Sequence, residues 1–253
     1  MLSHPSPEDR SVLTRPASPP DEVLRYGPDA EQVADVRFAR GPAGDCPVVV
    51  LVHGGFWRPA YDRAHLGPMA EALAAAGWPT VAPEYRRVPG QPDLAVRDVL
   101  AVVGAVALRP DLIRSRGMLL AGHSAGGHLA LLAAALLPGE APAGVLALAP
   151  VADLVRAQEL GLDGDAVASF LGGDAATRPD LDPARLPAPV GAVRILHGAG
   201  DGVVPVEVSR CYARRHPAAV LTEAPGGHFA VIDPRSAAWP AVVGALEDLA
   251  GGA

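Results

Sequence analysis

At 253 residues, 49% of them hydrophobic and 19% charged, the chain is long enough for one large domain with an extensive buried core, and too short to call for a second one. No apolar run approaches the roughly 20 residues of a membrane span, and the net charge of −7, with no basic patch, argues against nucleic acid as a partner. All 21 basic residues are arginine, which removes lysine Schiff bases, pyridoxal phosphate attachment, Walker-type phosphate loops and serine–lysine dyads from consideration.

Residues 1–21 are rich in proline, serine and charge and lack the apolar core of a signal peptide. A loosely held N-terminal arm is expected there, followed by a single domain over residues 22–253, in a cytoplasmic protein. Residues 33–39 alternate as a strand should, and residues 47–53 form a continuous β-branched run suited to a fully buried strand. Gly41-Pro42-Ala43-Gly44 supplies turn chemistry between them. A helix is predicted over 63–76 with Gly77 as its stop, a strand over 78–82, and a second helix over 93–108 that Pro110 ends. Strand 117–121, helix 125–137 and strand 144–149 complete a βαβαβαβ order. Such alternation requires a mostly parallel central sheet with helices on both faces.

Residues 152–192 break into short pieces, 165–171 among them, separated by Gly172-Gly173 and several prolines. An irregular stretch of that length in a compact domain predicts a lid or binding loop. Order returns with strand 193–197, a helix over 206–215, strand 219–223 and a last helix from Ser236. Cys46 and Cys211 lie far apart without C-x-x-C spacing, so neither a disulfide framework nor a zinc site is indicated. His123 and His128 have no carboxylate completing a ligand spacing, and no metal or other cofactor is expected.

The chemistry is carried by Gly122-His123-Ser124-Ala125-Gly126, which joins an apolar strand to an alanine- and leucine-rich helix. A G-x-S-x-G at a strand-to-helix turn is the sequence form of a nucleophile elbow, with the Ser124 hydroxyl exposed and helix amides free to face an oxyanion. A serine needs a histidine base, and the base an acid to fix its tautomer. Asp201, in Gly198-Ala199-Gly200-Asp201-Gly202, and His228, in Pro225-Gly226-Gly227-His228-Phe229, follow successive predicted strands. Both therefore fall at the carboxyl edge of the sheet with Ser124. Asp153 is the reserve acid, with Glu207 behind it. His53-Gly54-Gly55-Phe56-Trp57 follows the buried strand as an H-G-G loop. The amides of Gly55 and Phe56, with that of Ala125, are the candidate oxyanion donors, and His53 is read as a buried brace for the loop.

These residues resemble a known group. The His53-Gly54-Gly55-Phe56-Trp57 loop is similar to the H-G-G-x-W loop of kynurenine formamidases and related small esterases. Gly122-His123-Ser124-Ala125-Gly126-Gly127-His128-Leu129 resembles the elbow of the same serine hydrolases, and Glu84-Tyr85-Arg86-Arg87 also fits. The likeness runs from about Asp35 onward. It implies the α/β-hydrolase fold and cleavage of a small ester or aryl formamide through an acyl-enzyme, without cofactor. General carboxylesterase and a non-catalytic ligand-binding member of the fold are the alternatives. Trp57, Tyr61 and Tyr85 are candidate walls for a flat substrate, and Arg58 a candidate partner for a substrate carboxylate. A homodimer is compatible with this reading.

Overall fold

A computed structural model describes residues 8–40, 46–113, 117–137 and 142–251. Eight strands form one sheet: β1 (Glu22–Arg25), β2 (Val33–Arg37), β3 (Val48–Val52), β4 (Thr80–Pro83), β5 (Met118–His123), β6 (Gly144–Leu148), β7 (Ala192–Gly198) and β8 (Val220–Ala224). Their spatial order is β1-β2-β4-β3-β5-β6-β7-β8. From β4 to β8 every pair is parallel, and β1 and β2 close one edge as antiparallel neighbours. The turn read at residues 41–44 lies outside the described residues.

Period-2 geometry divides each central strand between two cores. Val48, Val50 and Val52 of β3 face one cluster with Leu120 and Val145, while Val49 and Leu51 face the other with Leu119 and Leu146. Helices α2 (Pro92–Ala107), α3 (Ala125–Leu136) and α6 (Glu207–Arg215) cover the first face through Val99, Leu129 and Tyr212. Helices α1 (Gly67–Ala75) and α7 (Trp239–Gly251) cover the second through Met69, Leu73, Val242 and Leu246. Helix α3 is buried from Ala125 to Ala134, which explains its lack of a polar face. Each of its buried leucines contributes about 1.5–3 kcal/mol of burial.

The structure differs from the sequence reading in three places. β1 was not foreseen, because Glu22 and Arg25 bracket only Val23 and Leu24, and four residues of weak alternation carry little signal. The helix predicted over 63–76 begins as a 3-10 turn at Arg63–Leu66, with Asp62 accepting from the Ala64 amide, and becomes α-helical only at Gly67. The third concerns the N-terminal segment, whose described part is held in place. Ser11–Thr14 form a 3-10 turn, Val12 is buried in the second core, and Arg15 makes a bidentate pair with Asp233 at 2.5 and 2.9 Å.

Residues 152–192 fold into α4 (Leu154–Glu159), α5 (Ala166–Leu171) and three 3-10 turns. Asp153 caps α4 by accepting from the Arg156 amide, and Asp182 accepts from the Leu154 and Ala184 amides. Phe170 of α5 stacks on Trp57 with ring centroids 4.4 Å apart. Short polar caps thus replace long-range periodicity in this segment, and its apolar side chains join the first core.

Candidate active site

Because β3, β5, β6, β7 and β8 run parallel, the segments that follow them emerge at one edge of the sheet. Ser124 follows β5 directly, at φ 56° and ψ −118°, a backbone conformation costly for a residue with a Cβ. Its amide donates to the Leu148 carbonyl at 2.8 Å, and its own carbonyl accepts from His128 and Val151, which fixes the turn on three sides. The flanking glycines are demanded by contact: a Cβ on Gly122 would lie 2.2 Å from the Gly126 carbonyl oxygen, and one on Gly126 would lie 2.1 Å from that of Val52. The helix therefore starts flush against β3.

His228 and Asp201 meet at 2.7 Å, Nδ1 to Oδ2. The same carboxylate oxygen lies 3.1 Å from Nε2 of His197, and Oδ1 accepts from the Val203 and Val204 amides at 2.8 Å each. Burial works against a charge on Asp201, but the hydrogen bonds from His197 and His228 outweigh it and hold the carboxyl well below the ordinary range. Asp201 is thus a fixed anion facing the imidazole. His197 was read from the sequence only as a strand end, although its ring is anchored by Ser209 Oγ at 2.8 Å and backs the acid. Neither reserve acid reaches His228: Asp153 caps α4, and Glu207 pairs with Arg214 at 2.9 Å.

The loop after β3 turns through three consecutive positive φ values, at Gly55 (106°), Phe56 (50°) and Trp57 (54°). Close approach to the elbow requires Gly54, since a Cβ there would lie 2.8 Å from the His123 carbonyl oxygen and 3.0 Å from Ser124 Cβ. His53 braces this loop from beneath. Its ring stacks on Tyr85 at 4.4 Å, with Nδ1 2.8 Å from the Gly54 carbonyl and Nε2 2.9 Å from Glu84. Burial, reinforced by the Arg87 cation, lowers its pKa to about 3, so the ring is neutral. Among the described residues, the amides of Gly55, Phe56 and Ala125 donate to no backbone or side-chain acceptor.

Ser124 and His228 line one cavity of about 440 Å³, together with Gly55, Phe56, Tyr61 and Phe229. Of the four residues expected to contact substrate, Tyr61 is on its wall. Trp57 is 3% exposed and packs between Phe170 and His128, and Tyr85 is fully buried with its hydroxyl donating to the His53 carbonyl at 3.0 Å. Arg58 is exposed and engaged by Asp163, Nε to Oδ2 at 2.8 Å. These three therefore support the site instead of lining it. The cation on the cavity wall is Arg10, whose guanidinium lies 5.5 Å from the centre of the Phe229 ring. Leu13 and Thr14 stand beside it, whereas Asp163 is the only part of residues 152–192 to reach the cavity. No local sequence signal could have found Arg10, because its neighbours in space lie across the whole chain.

Comparison with solved structures settles the architecture. Esterase B from Lactobacillus rhamnosis superposes with a TM-score of 0.72 at 22% identity, over 94% of this chain and 89% of that one. The chain has the α/β-hydrolase fold. Another α/β-hydrolase, esterase 2 from Thermogutta terrifontis, matches with a TM-score of 0.67 at 22% identity, covering 91% of this chain and 92% of that one. In sequence, a family model described as BD-FAE matches residues 34–141. The kynurenine formamidase of Danio rerio is 34% identical over 108 residues, 42% of this chain and 36% of that protein. Esterase LipC of Mycobacterium tuberculosis is 34% identical over 114 residues, 43% of this chain and 28% of LipC. The chain therefore aligns with about a third of the length of these relatives, and the BD-FAE match spans both the H-G-G loop and the elbow. Among the described residues no helix is long and apolar enough to cross a membrane.

Proposed function

We propose that this protein is a cytoplasmic serine hydrolase that cleaves a small carboxylic ester or aryl formamide through an acyl-enzyme. The observation that carries the reading is that His228, paired with Asp201 at 2.7 Å, lines the same cavity as a serine held in a strained elbow. Ser124 Oγ attacks the substrate carbonyl carbon as its proton passes to His228 Nε2. Negative charge on the carbonyl oxygen faces the amides of Gly55, Phe56 and Ala125, whose preorganisation costs nothing at the moment of reaction. Collapse of the tetrahedral adduct expels the alcohol or arylamine with the proton from His228. A water, deprotonated by the same ring, then releases the acyl group as a carboxylic acid and restores Ser124.

Between the two substrate types, the aromatic wall of Phe56, Tyr61 and Phe229 and the cation at Arg10 favour a flat substrate bearing a carboxylate, as N-formylkynurenine does. Residues 152–192 act here as a fixed cover over the rear of the site, holding Trp57 through Phe170. The esterase names of the solved neighbours support the general carboxylesterase reading. Labelling with a fluorophosphonate probe, in wild type and Ser124→Ala, tests the mechanism, and kcat/KM for N-formylkynurenine against p-nitrophenyl acetate tests the substrate. Arg10→Ala should raise KM for the former about tenfold and leave the neutral ester unchanged. Folded protein that neither labels nor turns over either compound would make the chain a ligand-binding member of the fold.

A further inference from the structure

Glu8 reaches from the N-terminal segment to the two loops that carry the acid and the base. Its Oε1 accepts from the Gly202 amide at 2.8 Å, next to Asp201, and both carboxylate oxygens accept from the His228 amide, at 3.1 and 2.9 Å. Gly227 leaves the space this needs, since a Cβ there would lie 2.2 Å from Glu8 Oε2. The two loops are already joined deeper in the sheet, where the Ala199 amide donates to the Ala224 carbonyl and the Gly200 amide to that of Gly226. Beyond Gly200 that pairing ends, and the backbone of Gly202 and of His228 is tied by the Glu8 carboxylate. The segment bearing it is fixed at its other end by Arg15 on Asp233 and by Val12 in the core.

We propose that Glu8 is a positioning residue for the hydrolysis, clamping the acid loop to the base loop so that His228 keeps its place on Asp201 and on the wall of the cavity it shares with Ser124. The inference rests on the serine hydrolase reading above. A carboxylate shared by amides of two loops makes charge-assisted hydrogen bonds, stronger than neutral ones and directional at both ends. Loss of an ångström of alignment in a proton-transferring base costs rate much more than it costs binding. Glu8 touches neither substrate nor reacting atoms, so its removal acts on kcat.

The experiment is steady-state hydrolysis of p-nitrophenyl acetate by wild type, Glu8→Ala and Glu8→Gln, with competent sites counted by fluorophosphonate titration and folding followed by thermal melting. Glu8→Ala should lose about tenfold or more in kcat per titrated site, with KM within twofold, and should label proportionately more slowly. Glu8→Gln, whose amide oxygen still accepts, should recover most of that loss. Wild-type kcat per titrated site in a folded Glu8→Ala variant would overturn the proposal. So would a loss that Glu8→Gln does not relieve, which would mark the carboxylate's charge and not its bonds as the active element. Absence of labelling in the wild type would instead overturn the underlying serine hydrolase reading, which keeps the two failures distinct.

Discussion

Replacing Ser124 by alanine and by glycine separates the backbone of the elbow from its chemistry. Both variants lack the nucleophile and should be inert. At an ordinary position glycine is the less stable of the two by about 0.5–1 kcal/mol, because its unfolded chain has more freedom to lose. Position 124 is different: at φ 56° and ψ −118° a Cβ is strained, and such residues cost on the order of 1–3 kcal/mol. Setting one against the other leaves Ser124→Gly more stable than Ser124→Ala by about 1 kcal/mol, or roughly 2–4 °C in Tm for a chain of this size. Urea titration followed by tryptophan fluorescence reads this directly, since Trp57 and Trp78 are both buried. If Ser124→Ala were equal to or more stable than Ser124→Gly, the backbone at Ser124 would not be strained.

Gly126→Ala places a methyl 2.1 Å from the Val52 oxygen and 2.4 Å from that of His53, both backbone atoms that cannot swing aside; a loss of at least about 1–3 kcal/mol is expected, with slower fluorophosphonate labelling. Gly104→Ala in α2, where a Cβ meets nothing within 4 Å, should stabilise by about 0.5–1 kcal/mol in the same melting assay. Asp201→Asn should lower kcat by about 10⁴ while circular dichroism stays native, because the amide no longer stabilises the imidazolium or fixes its tautomer. Burial holds His128 down to about 4, against an ordinary value of about 6.5 in the unfolded chain. Protons then bind preferentially to the unfolded state between those values, so this contribution to stability is complete above pH 6.5 and declines as the pH falls toward 4. His128→Gln should flatten the pH dependence of the urea-unfolding free energy by up to about 1.4 kcal/mol per pH unit across that window.

What could be read from the sequence was whatever is encoded locally. The β-branched run of β3, the apolar helix after Ser124 and the order Ser124, Asp201, His228 each have a short-range signature, and the parallel sheet then brings their ends together without further information. Substrate contacts have no such signature. Trp57 and Tyr85 were drawn toward the cavity by chemical type, yet a loop with three positive φ values turns Trp57 into the core, and Tyr85 is needed beneath His53. Arg58 looked available, but Asp163, more than a hundred residues later, engages it. Glu8 and Arg10 were hidden because proline- and serine-rich composition predicts looseness, whereas what holds them is Arg15 on Asp233 and Val12 in the core.

The contact between Glu8 and His228 joins residues 220 positions apart, and that between Arg15 and Asp233 spans 218. Pairings of such high sequence separation form late, since the loop must close before any contact rewards it. On the serine hydrolase reading, Ser124 is therefore synthesised long before Asp201 and His228, and the wall bearing Arg10 seats only after Phe229 has been made. On that reading a chain grown only through the elbow carries a serine with no base beside it, and the power to acylate arrives only once the His228 loop has docked.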